Sequence, residues 1–322
     1  MSIKTFSYNI IFIIAIVVGI TSCKKKSGEA PVPYVPNKIV DLIEGSLETY
    51  EDTLYIKRTT TSFNVSVSAL TNQPNKFKRL YAFKRSFDGT TLSAYTTAPI
   101  SGFVQDGSGN YYKDISTAGD TSETVDMTIA SNTANDIQFE DYYFVFTSGD
   151  FSDPNTPTNV VIGPYLLNVQ NGLLTEYTAL KMYNYFSNST YTPVINLYNV
   201  TAYVVATPDS NKYVMDMDST STAFERMFTS KNGTQFIKAP STFSYLKATD
   251  YTVRKTYEDN VGAAFTTSPS AVNVGDVFIA KLKGASTTNF SDYVVIRCTS
   301  YFDDGLTGTN KNNDFIQWSV KK

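Results

Sequence analysis

The stretch Ser62–Leu70 reads SFNVSVSAL and decides the fold prediction. Its apolar residues, at positions 63, 65, 67 and 69, alternate with polar ones, and this two-residue period is typical of a strand with one buried face. Further along, Glu123–Ala130 (ETVDMTIA) repeats the alternation, and Asp141–Thr147 (DYYFVFT) is apolar enough for a central strand. Residues 62–147 show no helical period, so the sequence predicts a sheet built from these strands.

The composition agrees with an all-β chain. Aromatic residues make up 14% of the 322 residues and charged residues only 18%, and Tyr, Phe, Thr, Val and Ser dominate the alternating runs. The apolar share of 42% can fill a core, which excludes a disordered chain. Because the length exceeds that of one typical domain, we expect two β-sandwich-like domains, residues 41–170 and residues 171–322.

The first of these domains carries about seven strand patterns and a turn signal at Asp88-Gly89. This order resembles the immunoglobulin-like and fibronectin-like modules of bacterial cell-surface lipoproteins. The resemblance implies a β-sandwich and leaves the function open, because such modules serve many functions.

The second domain is expected to combine strands with one short helix at Thr249–Glu258, where Thr249 is the cap and Val253 and Tyr257 share a face. Two later strands, Tyr293–Tyr301 and Asp314–Val320, precede the terminal lysines. This ending resembles the C-terminal β-meander of uncharacterised Bacteroidota lipoproteins. Alternation in both strands predicts that Cys298 and Trp318 are buried.

Residues 1–22 have the organisation of a lipoprotein signal peptide. Lys4 gives a positive start, and the apolar run Ile10–Ile20 is too short to span a membrane as a helix but suits the core of a secretory signal. The tetrapeptide ITSC at positions 20–23 resembles the bacterial lipobox. That resemblance implies cleavage before Cys23 and lipid on its sulfur, whereas the alternatives are an ordinary signal peptide and an uncleaved anchor.

Residues 23–40 are expected to form the lipidated cysteine and an extended tether. Three lysines follow Cys23, and prolines 31, 33 and 36 oppose a helix. The lysines either contact lipid phosphates or are only solvated. The lipobox resemblance implies a lipid anchor in the outer membrane. The side of that membrane is left open, because lysines stand where surface-export signals of these bacteria tend to be acidic.

The chain has no histidine, which excludes several function classes. Ser-His-Asp and Cys-His catalysis as usually built need it, and it is the commonest zinc ligand. Loss of residues 1–22 removes one lysine, so 26 basic residues face 30 acidic ones and the net charge is −4. This balance gives no basic stripe for nucleic acid. If Cys23 carries lipid, Cys298 has no disulfide partner. No cofactor is expected.

A polar loop near the C-terminus, DDGLTGTNKNND at positions 303–314, collects oxygen ligands. Its carboxylates Asp303, Asp304 and Asp314 are the predicted metal ligands, because calcium takes six to eight oxygen atoms. The spacing differs from that of an EF-hand. A hairpin turn without metal is the alternative, since Asp, Asn and Gly are turn-forming residues.

Other candidate residues are carboxylates, hydroxyls and rings. Asp216 and Asp218 are expected on one strand face, where a carboxylate pair can serve glycoside hydrolysis. Thr53 and Ser219 follow aspartate in a pattern that resembles the O-glycosylation sites of Bacteroidota secreted proteins. Tyrosines are candidates for stacking on sugars, with core packing as the alternative; they are Tyr111, Tyr112, Tyr142, Tyr143, Tyr183, Tyr185 and Tyr191.

These features favour a lipid-anchored binding or assembly module of the cell envelope, without catalytic activity. Its expected partners are the membrane, through the lipid on Cys23, and a glycan or protein ligand. One alternative is a carbohydrate-binding accessory lipoprotein of an outer-membrane glycan uptake system. Another is a carboxylate-based glycoside hydrolase.

We expect Cys23→Ala to release the protein from membranes or to leave an unprocessed precursor, because the predicted lipid acceptor is then missing. Metabolic labelling with a radioactive fatty acid, followed by membrane fractionation, measures this. Cys298→Ala is the matched control and should keep the label. Persistent labelling of the Cys23→Ala chain would contradict the lipoprotein prediction.

Overall fold

The computed structural model describes most of the chain after the predicted tether. The described residues are 38–43, 50–71, 77–115, 122–132, 134, 137–147, 160–184, 192–203, 214–217, 224–230, 232–283, 290–306 and 313–322. All of them belong to one compact unit. The predicted signal peptide and Cys23 lie outside the described residues, as do Asp218 and Ser219.

The fold class is all-β, as predicted, and the first part of the described chain is made of strands. They are β1 (Lys38–Ile43), β2 (Tyr50–Tyr55), β3 (Ser62–Leu70), β4 (Arg79–Phe87), β5 (Thr96–Thr97), β6 (Val104–Gln105), β7 (Tyr111–Asp114), β8 (Ser122–Ala130), β9 (Phe139–Thr147) and β10 (Val160–Gln170). Strands β1, β3 and β8 form a small sheet in the order β1-β3-β8. The larger sheet has the order β2-β10-β9-β4-β7-β6, and β5 pairs with β4.

Two strand pairs of this half are parallel. Strand β1 runs parallel to β3, and β2 runs parallel to β10, with Tyr50 opposite Tyr165. The neighbouring pairs, such as β3–β8 and β4–β9, are antiparallel. Thus β1 and β2, which follow each other along the chain, lie at the edges of two different sheets.

The two sheets share one apolar core. The alternating residues of β3, including Phe63 and Val65, contact Leu80, Phe144 and Leu167 from the larger sheet in a single buried cluster. These five side chains are at most 1% exposed. The alternation of SFNVSVSAL therefore does mark one buried face, and burying it against a second sheet explains why the first half forms.

The second half begins after Gly172. Its strands are β11 (Glu176–Tyr183), β12 (Val194–Asn196), β13 (Thr201–Tyr203), β14 (Val214–Met217), β15 (Phe228–Ser230), β16 (Gln235–Lys238), β17 (Val277–Lys283), β18 (Phe290–Phe302) and β19 (Phe315–Lys321). A five-stranded antiparallel sheet has the order β11-β19-β18-β17-β16, and a four-stranded one has the order β13-β12-β14-β15. The described strand pairings do not connect the sheets of the two halves.

Aromatic rings fill the core of the second half. Phe228 makes edge-on contacts with Phe236, Phe278 and Trp318, with ring centroids 4.9–5.7 Å apart. Trp318 is fully buried, and Cys298, which is 1% exposed, belongs to the same cluster. Both burial predictions are confirmed.

The opposite face of the five-stranded sheet is partly covered by a helix, α1 (Asp250–Asp259). Thr249 caps it, since its side chain accepts a hydrogen bond from the Thr252 amide, and Val253 and Tyr257 are buried against the sheet. Its cap and its buried face agree with the prediction. Among the described residues, no helix is both long and apolar enough to cross a membrane.

One arginine joins the two halves. The Arg58 guanidinium contacts both carboxylate oxygens of Asp250, at 2.5 and 3.0 Å. It also donates to the carbonyls of Ala134 and Ile137 and to the side chain of Gln138. We call this set the Arg58 bridge. It ties the loop after β2 to the loop before β9 and to the first residue of α1.

Gly172 makes this contact possible. Its φ of +78° favours glycine, and its carbonyl accepts a hydrogen bond from the Asp250 amide at 2.9 Å. A Cβ atom at Gly172 would collide with the Asp250 carboxylate. The predicted domain boundary between residues 170 and 171 therefore lies next to a close approach of the halves. That the halves fold separately stays a prediction, which calorimetry and limited proteolysis can check.

We expect Gly172→Ala to destabilise the protein by at least about 1 kcal/mol, because the new side chain is strained at positive φ and pushes against Asp250. Denaturant unfolding of the full chain in mild detergent measures this. Gly262→Ala is the matched control, since its Cβ would have no heavy atom within 4 Å. Equal stability of the two variants would contradict the close approach.

Candidate functional site

The three predicted metal ligands converge at one end of the second half. Asp303 and Asp304 follow β18, Asp314 precedes β19, and each places a carboxylate oxygen within 4.8 Å of the others. We call them the acidic triad. The chain brings them together because β18 and β19 pair antiparallel, so that the end of one strand lies beside the start of the next.

The turn after β18 is held by its own aspartates. Asp303 accepts a hydrogen bond from the Gly305 amide at 2.9 Å, and Asp304 accepts one from the Leu306 amide at 2.8 Å. The Asp304 amide donates to Oδ1 of Asp314 at 3.0 Å. These bonds are those of a polar turn, so the geometry satisfies the turn prediction as well as the ligand prediction.

Asp314 differs from its two neighbours in its burial. Its side chain is fully buried, whereas Asp303 is exposed. Burial raises the pKa of the Asp314 carboxyl, and the nearby charges of Asp304 and Asp303 raise it further, against the opposing hydrogen bond from the Asp304 amide. Three carboxylates in one place therefore favour either a proton or a cation among them.

A row of aromatic rings lies beside the triad. Phe315 on β19 stands opposite Phe302 on β18 and Tyr183 on β11, so the three side chains share one sheet face. Ring centroids are 5.9 Å apart for Phe302 and Phe315 and 5.3 Å apart for Tyr183 and Phe315. We call this set the aromatic row. Lys181 adds a positive charge 4.3 Å from the Phe315 centroid.

The row is open to solvent at one side. Phe302 is 46% exposed, and Tyr183 and Phe315 are half-buried. The helix α1 covers β17 and β18 near Ile279 and Val295 and leaves the end at Phe302 open. An exposed ring with half-buried neighbours, next to charged groups, is suited to bind a ligand that has both an apolar and a polar side.

The other predicted stacking tyrosines are placed differently. Tyr142 is buried in the first core, and its neighbour Tyr143 points to the opposite face, as strand alternation requires. Tyr112 is 9% exposed and Tyr111 is half-buried. None of these four offers an exposed ring. Tyr185 and Tyr191 lie outside the described residues.

Thr53, one predicted glycosylation site, is exposed on the edge strand β2. It borders a polar hollow of about 450 Å³, in which Arg85 and Asp141 form an ion pair at 2.7 Å and Asn168 donates to Asp141 at 2.6 Å. Exposure leaves its hydroxyl accessible to a modifying enzyme. Modification of Thr53 stays a prediction, and Ser219 lies outside the described residues.

The carboxylate pair proposed for hydrolysis is only partly described. Asp216 belongs to β14, opposite Val194 and Thr229, while Asp218 lies outside the described residues. The structure therefore does not bring these two residues together as a described site. The hydrolase alternative stays a prediction.

Sequence reasoning missed Phe302 and Phe315. A signal was present, because each is an aromatic residue directly beside an acidic one, at the facing ends of two predicted strands. Their shared face was hidden by a register shift between Cys298 and Ser300. Strict alternation from the buried Cys298 would place Phe302 in the core.

The function of this site has to be inferred from its geometry. No protein-family model and no curated protein sequence matches the chain.

We expect the Cys298 thiol to be unreactive in the folded protein. Burial, followed by the nearby charge of Asp276, raises its pKa to about 11, so little thiolate exists at pH 8. Alkylation of the Cys23→Ala full chain at pH 8, followed by mass spectrometry, should be at least tenfold slower under native conditions than in denaturant. Rapid native labelling would contradict its place in the core.

Proposed function

We propose that this chain is a lipid-anchored binding module of the cell envelope that performs no catalysis. The observation that carries the proposal is the aromatic row beside the acidic triad. Together they form one mixed apolar and polar surface at the end of the five-stranded sheet. The resemblance of residues 20–23 to a lipobox supports a lipid anchor on Cys23, and the composition without histidine removes the commonest catalytic base.

The surface has the properties of a recognition site. Phe302 presents apolar area to solvent, Lys181 supplies a donor above Phe315, and Asp303 supplies exposed acceptors. Lys181 on β11 and Phe302 on β18 flank the shared neighbour β19, and Asp303 directly follows β18. Because these positions are set by the sheet, a ligand would meet them with little loss of side-chain freedom. The site also lies where β18 ends in the turn at Asp303 and Asp304, and loops carried by a sheet are a common place for recognition.

The aromatic row favours a glycan as the ligand, which is the second candidate function. A sugar ring has an apolar face that can lie against Phe302 and hydroxyls that can reach Lys181 and Asp303. In this case the protein would be a carbohydrate-binding accessory lipoprotein of a glycan uptake system. A protein ligand would use the same rings as apolar anchors.

We expect the full chain in mild detergent to bind a polysaccharide without cleaving it, and Phe302→Ala to weaken that binding about tenfold, which corresponds to about 1.4 kcal/mol. Affinity electrophoresis in gels that contain different polysaccharides measures the retardation. Leu246→Ala is the matched control, because Leu246 is a 69% exposed apolar residue that belongs to neither set.

Three outcomes separate the candidates. Retardation that Phe302→Ala abolishes supports the glycan candidate. Its absence across the polysaccharides tested rejects that candidate and leaves a protein ligand. Release of reducing sugar, with loss of release on Asp216→Asn or Asp218→Asn, would reject the binding module and support the hydrolase alternative.

A further inference from the structure

One buried oxygen atom of the acidic triad has no hydrogen-bond partner in the part of the chain that the structure describes. Oδ1 of Asp314 accepts from the Asp304 amide, but Oδ2 is buried and has no hydrogen-bond partner among the described residues. The Asp314 side chain is fully buried. A buried carboxylate oxygen without a donor costs free energy, so native proteins usually satisfy it with a hydrogen bond, a proton or a metal ion.

Within the part of the chain that the structure describes, no hydrogen-bond donor reaches Oδ2 of Asp314. Its neighbours in the triad, Asp303 and Asp304, are also carboxylates, and the three groups each have an oxygen within 4.8 Å of the others. The backbone on both sides is already engaged, because the Asp304 amide binds Asp314 and the Asp314 carbonyl accepts from the Asn184 amide at 2.9 Å. The arrangement therefore holds three acidic groups together around a buried oxygen atom that a metal ion would satisfy.

We propose that the acidic triad binds one calcium ion, with Asp314 as the buried ligand and Asp303 and Asp304 as ligands on the solvent side. Calcium accepts carboxylate oxygens in one- or two-oxygen contacts and completes its six to eight ligands with water. The ion bridges the end of β18 to the start of β19. It thereby stabilises the two strands that carry Phe302 and Phe315.

The donor set selects calcium among the common ions. Zinc prefers nitrogen and sulfur ligands, and the triad offers only oxygen. Magnesium requires a near-ideal octahedron and gives up its water reluctantly, whereas calcium tolerates the irregular spacing that a turn provides. A site with three protein carboxylates on an exposed turn belongs to the weak class of extracellular modules, for which Kd is about 10⁻⁴–10⁻³ M.

The test is direct binding of radioactive calcium to the full chain in mild detergent, measured by equilibrium dialysis at constant ionic strength. We expect one ion per chain with a Kd in the range above. Asp314→Asn should weaken binding at least tenfold. The variant keeps an oxygen that can accept from the Asp304 amide, so the turn is preserved while the charged ligand is lost.

Asp259→Asn is the matched control, because it removes one negative charge from an exposed residue whose partner is Lys255. Its calcium binding should equal that of the unmodified chain. A second measurement does not depend on dialysis: 10 mM calcium should raise the melting temperature by about 2–6 °C, and Asp314→Asn should abolish the rise.

Several results would overturn the proposal. They are no bound calcium at 5 mM, equal binding by the Asp314→Asn and Asp259→Asn chains, and an equal melting shift with 10 mM magnesium. The first two would leave a polar turn that binds no calcium through Asp314. The third would show that the triad does not distinguish calcium from magnesium.

Discussion

The Arg58 bridge is the interaction on which the relation between the two halves depends. A guanidinium has five donors in a fixed plane, and here two of them bind Asp250 while three bind Ala134, Ile137 and Gln138. Lysine could not do this with its single ammonium group. The described strand pairings stay within each half. The halves are therefore joined by the Arg58–Asp250 contact and by the close approach of Gly172 to Asp250, and not by a shared sheet.

The position of Asp250 gives the bridge a second role. Asp250 is the first residue of α1, where a negative charge is stabilised by the positive end of the helix dipole. The side chains of Arg58 and Asp250 are 21% and 40% exposed, so water weakens their attraction and the net free energy is modest. The bridge therefore serves mainly to fix geometry: it sets where the helix begins relative to the first half.

The parts of the fold that depend on local sequence could be predicted. The strand at Ser62–Leu70 follows from alternation, and α1 follows from a cap and two apolar residues four positions apart, all within ten residues. The acidic triad could be predicted because its residues belong to one turn-forming stretch of the sequence.

The parallel pairs β1–β3 and β2–β10 could not be predicted, since no local pattern indicates which distant strand will be the neighbour. The aromatic row was missed for a related reason, because one extra residue near Thr299 reverses the faces that follow it.

The pairing of β2 with β10 has a consequence for the order of folding. Strand β2 can pair with β10 only after residues up to Tyr165 have been synthesised, because Tyr165 lies opposite Tyr50. Arg58 can bind Asp250 only after about 85 further residues have been added. Loop closure over such distances is slow compared with the formation of a local hairpin. During synthesis, the edge of β2 therefore stays unpaired until β10 has been made, and in this period the chain is most prone to aggregation.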